Sequence, residues 1–420
     1  MPARFLAAGC SKRLADNSLA MIYLDNNATT RPCAAAVEAA GHGMREVWQN
    51  PSSVHRAGQG ARAGLEMARK SVADLVGAKA REITFVSSGT ESIQLAIRGV
   101  VHAQAKHDGP SPTPPPTASP TPLVVSTRVE HSAVRELLME METRGEARVQ
   151  WLEVDRSGRV RLESVAAALE SKPAIVSVQW VNNETGVIQP VHEIAALCNR
   201  AGVLFHCDGV QWVGKESTTL GPSGLNCDLL SLSAHKFHGL KGVGCLYVRS
   251  GVRLRPQTPG SQELGRRGGT ENVPGILAAG AAAGEARVWL ADSASRRALG
   301  ALRDEFEAEI LAGCPGAEVN GAGAPRLWNT TNIGFARLEA EAVLLALSES
   351  GVFASAGAAC ASGSLDPSPV LLAMGVPPAV AHGSVRFSLS RETTPEELKD
   401  AAATVIRCVH SLRASTSAAV

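Results

Sequence analysis

The sequence has no long hydrophobic run and almost no excess of charge of either sign. Charged residues interrupt its apolar stretches well before the roughly 18 residues that a membrane-spanning helix needs. The 41 lysines and arginines nearly balance the 40 aspartates and glutamates, so the formal net charge is +1. This balance gives no electrostatic reason to expect a nucleic acid or a membrane as a partner. The function must therefore be sought in local sites.

The sequence also lacks the cysteine spacing of metal sites and of secreted proteins. Its nine cysteines include no CxxC pair and no cysteine–histidine block with zinc-ligand spacing, so no bound metal is expected. Their odd number and scattered positions are typical of reduced thiols in the cytosol and not of a disulfide framework. We therefore predict a cytoplasmic protein.

The first 20 residues precede the predicted folded part of the chain. Their apolar core is too short for a secretory signal, and we predict that residues 1–20 form a disordered extension. An organelle-targeting segment is the alternative, because the extension contains the basic residues Arg4, Lys12 and Arg13.

A chain of 420 residues exceeds the usual size of one compact core, so we expect two domains. We assign residues 33–284 to a large domain. Residues 21–32, as a returning N-terminal arm, and residues 285–420 are assigned to a smaller α+β domain. The apolar spacing of residues 293–313 predicts a helix at the start of that second part.

Strand-like and helix-like segments alternate after Met21 and predict an α/β fold. Four segments begin with an apolar run and end in polar residues, namely PLVVSTRVEHSAV, AIVSVQWVNNE, GVLFHCDGVQ and LLSLSAHK. Ligands of open α/β sheets bind at the carboxyl ends of parallel strands, so we expect these polar ends to form one site. Proline density predicts that residues 109–122 are an exposed surface loop.

Three strand ends, two of them among these four and one at VSSGTES, contain the groups that pyridoxal phosphate requires. In VSSGTES, Gly89 lets the backbone approach a phosphate at the start of a helix, for which Thr90 is the predicted N-cap. Asp208 ends an apolar strand and can pair with the pyridine nitrogen of the cofactor. Lys236 ends another, and a Schiff base with the cofactor's aldehyde would remove the desolvation cost of its buried charge.

With these residues in view, the sequence resembles the cysteine desulfurases of the class V aminotransferase group, which are fold-type-I pyridoxal-phosphate enzymes. The resemblance runs from about Met21 to near the C-terminus. It implies a large domain with a mostly parallel seven-stranded sheet flanked by helices, plus a smaller α+β C-terminal domain. Ten motifs in family order carry it, namely LDNNATT, NPSSVHRAG, SSGTES, VEHSAV, NNETG, HCDGVQ, SAHKFHG, RRGGTENV, SAGAACASGS and VRFSLSR.

The resemblance implies a role for each of these residues. Lys236 would bind the cofactor covalently, Asp208 would hold its pyridine nitrogen and Gln211 its ring hydroxyl. His131 would stack on the ring and assist proton transfer. The implied phosphate ligands are Gly89, Thr90, Ser233, His235 and, from the other subunit of a homodimer, Thr270. The implied substrate ligands are Asn27, Asn183 and Arg386, of which Asn183 would also contact the cofactor.

The segment SAGAACASGS, residues 355–364, decides the reaction. Its small residues predict a mobile, exposed loop, whereas a structural cysteine would normally be buried in an apolar element. By resemblance, the Cys360 thiolate would attack the sulfur of L-cysteine and carry it as a persulfide while alanine is released. The resemblance further implies delivery of the sulfur to a scaffold or acceptor protein of an iron–sulfur cluster or thiolation pathway.

Two alternatives use the same scaffold. A selenocysteine lyase would need the same lysine and cysteine, because selenium and sulfur occupy the same place in the substrate. An aminotransferase is the second alternative, and Cys360 in its predicted loop speaks against it. Two departures from the family pattern accompany these motifs: Leu264 stands where relatives commonly have arginine, and Val210 is bulkier than usual.

Overall fold

The computed structural model describes residues 21–104, 121–357 and 366–418, and for residues 416–418 the backbone alone. Three predictions concern residues outside these ranges: the N-terminal extension 1–20, most of the proline-rich segment 109–122, and Cys360 with most of the segment 355–364.

The described part of the chain contains twelve strands in three sheets. In chain order they are β1 (Ile22–Tyr23), β2 (Ile83–Val86), β3 (Leu123–Thr127), β4 (Arg148–Leu152), β5 (Ile175–Gln179), β6 (Leu204–Asp208), β7 (Leu229–Ser233), β8 (Gly244–Val248), β9 (Ala317–Val319), β10 (Thr330–Phe335), β11 (Val352–Phe353) and β12 (Ser384–Ser388).

The central sheet has seven strands in the order β2-β8-β7-β6-β5-β3-β4. Strand β8 runs antiparallel to its neighbours β2 and β7, and the other pairings are parallel. Strands β5, β7 and β8 are buried along their whole length, as expected of a sheet covered on both faces. The predicted α/β fold with a mostly parallel seven-stranded sheet is confirmed.

Helices cover the central sheet and pack on one another. In chain order they are α1 (Ala34–Arg45), α2 (Arg56–Val76), α3 (Gly89–Gln104), α4 (Ser132–Thr143), α5 (Leu162–Leu169), α6 (Val191–Ala201), α7 (Val273–Leu290), α8 (Ser293–Gly313), α9 (Ala340–Glu349), α10 (Pro369–Ala373), α11 (Pro378–Ala381) and α12 (Pro395–Ala418). Within the described ranges, none of them combines the length and the apolar character that crossing a membrane requires.

Two helix starts test the local predictions. Helix α8 has the predicted bounds, and the Asp292 carboxylate caps it by accepting hydrogen bonds from Ala294 N and Ser295 N. The predicted cap of α3 was wrong: the hydroxyl of Ser88, and not Thr90, accepts the hydrogen bond from Glu91 N at 3.1 Å. Serine and threonine are both good caps, and the earlier of the two starts this helix.

The N-terminal arm and the C-terminal part of the chain meet in the smaller sheets. Strand β1 pairs in parallel with β11, so that Ile22 lies opposite Val352. Strand β10 lies between β9 and β12 in an antiparallel sheet, and it places Arg386 opposite Asn332. These contacts hold residues from both ends of the chain together. The assignment of domain boundaries is still a prediction.

Candidate active site

A cavity of ≈ 210 Å³ lies at the carboxyl ends of β5, β6 and β7, beside the start of α3. Because these strands are parallel neighbours, the polar residues that follow them meet at one edge of the sheet. Nine of the predicted site residues line this cavity: Gly89, Thr90, His131, Asn183, Asp208, Gln211, Ser233, His235 and Lys236.

One wall of the cavity is the first turn of α3. The Ser88 hydroxyl accepts the N–H of Glu91, so the helix leaves the N–H groups of Gly89 and Thr90 for another acceptor. The backbone here is tightly enclosed: a Cβ on Gly89 would meet Val210 Cγ2 at 3.1 Å, and one on Gly244 would lie 2.3 Å from the Ser88 carbonyl. This turn can bind a phosphate group through backbone N–H donors.

Asp208, the last residue of β6, is buried in the cavity wall. Its Oδ1 accepts a hydrogen bond from Val210 N at 3.0 Å. Burial raises the pKa of the Asp208 carboxyl to about 6, and the nearby charge of Lys236 acts in the opposite direction. A buried carboxyl of this kind favours a cationic ligand group, which would stabilise its ionised form.

Lys236 lies in a short turn, Ala234–Lys236, directly after β7. Its Nζ donates to the backbone carbonyls of Asn27 at 2.5 Å and of Ala28 at 2.8 Å. The amine is therefore held by the N-terminal arm, and it lines the same cavity as Asp208.

His131 caps helix α4 and faces the cavity. Its Nδ1 accepts the hydrogen bond of Ala133 N at 3.1 Å, so the proton of the neutral ring is on Nε2. Burial, together with the positive charge of Lys236, lowers the pKa of His131 to about 4. The ring is therefore neutral at physiological pH.

Glu130 is a buried carboxyl next to His131 that the motif-based assignment did not include. Gln179 N donates to both of its carboxyl oxygens at 3.0 Å, and Thr127 Oγ1 donates to Oε1. Burial raises the pKa of Glu130 from 4.5 to about 8, and the charge of Asp208 adds to the effect. Glu130 therefore connects the carboxyl ends of β3 and β5 through hydrogen bonds to Thr127 and Gln179.

The raised pKa of Glu130 predicts a specific pH dependence of stability. The folded protein binds this proton more tightly than the unfolded chain does, so stability is lost as the pH rises through the window from 4.5 to about 8. The loss should approach about 1.4 kcal/mol per pH unit. Urea unfolding of the cofactor-free protein should show this slope relative to Glu130→Gln. Parallel pH profiles of the two proteins would contradict the assignment.

A second cavity, of ≈ 340 Å³, adjoins the first through His131, Asn183, Gln211 and Lys236. Asn27 and Arg386, which are predicted to bind the substrate, and Gly357 also line it. Gly357 is the last described residue before the segment that contains Cys360.

Arg386 is 2% exposed and is fixed by several groups. Its Nη2 lies 2.6 Å from Asp25 Oδ1, and its Nη1 donates to the carbonyls of Asn183 and Gly357. Within the described residues, two buried atoms here have no hydrogen-bond partner, namely Arg386 Nε and Asn183 Oδ1. A buried donor of this kind suits the carboxylate of a ligand.

Thr270 is exposed and lines neither cavity of its own chain. The structure also shows where the two departures from the family pattern lie. Leu264 is 67% exposed, and Val210 lies next to Gly89, on which a Cβ would be 3.1 Å from Val210 Cγ2. Among the residues that the structure describes, no cluster of three or more His, Cys, Asp or Glu side chains could hold a metal ion.

Motif-based assignment missed Asp25 and Lys215 as well as Glu130. Asp25 lies inside the motif LDNNATT, and Lys215 follows Gln211 by four residues in GVQWVGK. The motifs contain Asp25 and Glu130, and Lys215 lies just beyond the motif HCDGVQ, but only the folded contacts identify what each side chain touches.

The chain is similar to a large family over most of its length. A model of the aminotransferase class-V family matches residues 22–400. Cysteine desulfurase 2 of Trichormus variabilis is 43% identical over 397 residues, which are 94% of this chain and 95% of that protein. The cysteine desulfurase NifS of Azotobacter vinelandii is 45% identical over 382 residues, which are 90% of each.

Solved structures give the same result. A NifS-like protein superposes with a TM-score of 0.82 at 32% identity and covers 93% of this chain and 100% of its own. SspA in complex with cysteine superposes with a TM-score of 0.73 at 28% identity, over 89% of this chain and 99% of its own. The range 22–400 matched by the family model includes all strands of the central sheet and the residues that line both cavities.

Proposed function

We propose that this chain, which belongs to the aminotransferase class-V family and is a cysteine desulfurase, binds pyridoxal 5'-phosphate on Lys236. We propose further that it transfers the sulfur of L-cysteine to Cys360. The observation that carries the proposal is the cavity in which an amine, a buried carboxyl and a helix start converge. This arrangement does not stabilise the fold, because burying Asp208 and partly burying Lys236 costs desolvation energy.

The residues of the cavity fit this cofactor. The first turn of α3, with Ser233 and His235, would hold the phosphate, and the buried carboxyl of Asp208 would pair with a protonated pyridine nitrogen. Gln211 would donate to the ring hydroxyl, and His131 would stack on the ring. When bound, the cofactor supplies an electron sink for the bonds at the substrate's α-carbon. Thr270 from the second subunit of a homodimer would complete the phosphate site.

The second cavity would bind the substrate's carboxylate. The buried Nε of Arg386 supplies a donor, and the ion pair with Asp25 together with two carbonyl contacts fixes the guanidinium plane. A planar, fixed arginine suits a carboxylate better than a flexible lysine would. Asn27 and Asn183 form the adjoining wall.

Two residues would serve the proton transfer. The Nζ of Lys236 is the base that would remove the α-proton of the substrate, since it lines both cavities. His131, neutral with its proton on Nε2, would assist by donating a hydrogen bond from Nε2. Its low pKa keeps an additional positive charge away from Lys236.

The state of the other cysteines supports Cys360 as the sulfur acceptor. The seven described cysteines are all buried, and burial raises the pKa of Cys198 to about 12 and holds that of Cys207 well above its usual value. Such thiols are poor nucleophiles. The Cys360 thiolate would attack the substrate sulfur, forming a sulfur–sulfur bond as the carbon–sulfur bond breaks. The electron pair of the broken bond goes to the carbon, which is then protonated to give alanine.

The persulfide must afterwards leave the cavity, so a sulfur-acceptor or scaffold protein is the proposed partner. The described cysteines are free thiols, which is the state that the proposed cytoplasmic location would maintain.

Incubation with cysteine and with selenocysteine tests this function directly. The cofactor-loaded enzyme should release alanine from cysteine, and mass analysis should find the Cys360 peptide heavier by one sulfur atom. The cofactor-free protein is the matched control and should do neither. Turnover of selenocysteine alone would identify a selenocysteine lyase, and conversion of a keto acid without persulfide would identify an aminotransferase.

A further inference from the structure

Lys215 is a buried lysine beside the first cavity, and the mechanism above does not use it. Its side chain is 5% exposed, and its Nζ donates to Gln211 Oε1 at 2.6 Å and to Asn27 Oδ1 at 2.8 Å. No carboxylate forms an ion pair with it among the described residues. A buried amine with only amide partners is costly for stability, which suggests that it serves the site.

The surroundings of Lys215 are mostly positive. The charged groups that act on it are those of Lys236 and Arg386, and burial, with these charges, holds the pKa of Lys215 well below its usual range. Its donor function does not depend on its charge, because an amine has two N–H donors even after losing its proton. Both of its partners are oxygen atoms.

The contacts of Lys215 fix the orientation of the Gln211 amide. With Oε1 held by Lys215, the amide nitrogen Nε2 points the other way and donates to Asn27 O at 3.0 Å. An amide nitrogen has two N–H donors, so a second one is available to an oxygen in the cavity that Gln211 lines. A flipped amide would set its nitrogen against the Lys215 donor and its oxygen against a carbonyl.

We propose that Lys215 is a positioning residue that makes Gln211 present its amide nitrogen, and not its oxygen, to the ring hydroxyl of the cofactor. The inference rests on the proposed binding of the cofactor and on the role of Gln211 in it. Lys215 itself lines neither cavity and acts through the glutamine.

Lys215→Met tests this inference, because it removes the donor and keeps the length of the side chain. The dissociation constant of pyridoxal 5'-phosphate, measured by titrating the cofactor-free protein, should rise on the order of tenfold. The pH midpoint of the bound cofactor's absorbance should also shift upward, since a lost donor destabilises the ionised ring oxygen. Lys70→Met, at an exposed lysine of α2 that pairs with Asp74, is the matched control and should change neither quantity.

A double-mutant cycle with Gln211→Leu separates positioning from a merely structural role. If Lys215 acts through Gln211, adding Lys215→Met to Gln211→Leu should weaken cofactor binding no further. Additive losses would overturn the inference, as would a Lys215→Met protein with unchanged affinity and absorbance while Gln211→Leu binds weakly. Absence of cofactor binding by the unmodified protein would instead overturn the proposed function. Thermal unfolding of each cofactor-free variant verifies that all are folded.

Discussion

Replacing Lys236 with alanine is expected to remove both the covalent attachment of the cofactor and the base for the α-proton. Cysteine turnover should fall on the order of 10⁴-fold or more, because in the proposed mechanism one residue performs both tasks. The absorption band of the covalently bound cofactor should be missing from the purified variant. The phosphate turn and Asp208 are untouched, so added cofactor should still bind, with lower affinity.

Lys241→Ala is the matched control for this experiment. Lys241 is exposed and lies five residues further along the same glycine-rich segment, and it lines neither cavity. Its replacement should leave the absorption band and the rate near those of the unmodified enzyme. A Lys236→Ala enzyme that retained its turnover would place the reactive amine elsewhere.

Replacing Cys360 with serine is expected to stop sulfur transfer while leaving the cofactor bound. A hydroxyl cannot replace a thiolate as the attacking group, so alanine release from cysteine should fall by about 10⁴-fold. Mass analysis should find no persulfide on the corresponding peptide. The absorbance of the bound cofactor should not change, which distinguishes this variant from Lys236→Ala.

Cys408→Ser is a suitable control because it changes a buried thiol that lines neither cavity. Cys408 Sγ lies 3.8 Å from Ser350 Oγ, so the new hydroxyl would find a polar neighbour. Alanine release and persulfide formation should persist in this variant. Full alanine release by Cys360→Ser would show that sulfur leaves the substrate without this residue.

Much of the fold follows from local signals in the sequence. The apolar runs before Asp208 and Lys236 predicted parallel strands, and the helix predicted for residues 293–313 has those bounds. The start of α3 was harder to predict, because VSSGTES contains four serine and threonine residues, which are the residue types that often cap a helix. Gly244 lies close to the Ser88 carbonyl because of the way β8 packs against the start of α3. No local sequence pattern predicts this packing.

The site was predictable where a motif places a residue at the end of a strand, as for Asp208 and Lys236. It was not predictable where a side chain depends on distant partners. Asp25 pairs with Arg386, and their separation of 361 residues in the chain hides that contact from any local pattern. Glu130 adjoins a predicted residue, yet its side chain bonds to β5, while His131 faces the cavity.

Asn27 connects the two ends of the chain in a way that bears on biosynthesis. Its backbone N–H is bonded to the Ser388 hydroxyl, and its carbonyl accepts the amine of Lys236. During synthesis, Lys236 is therefore present in the chain long before β12, the strand that contains Ser388, has emerged from the ribosome. The wall that Asn27 and Arg386 form in the second cavity can therefore be completed only after synthesis has passed residue 388.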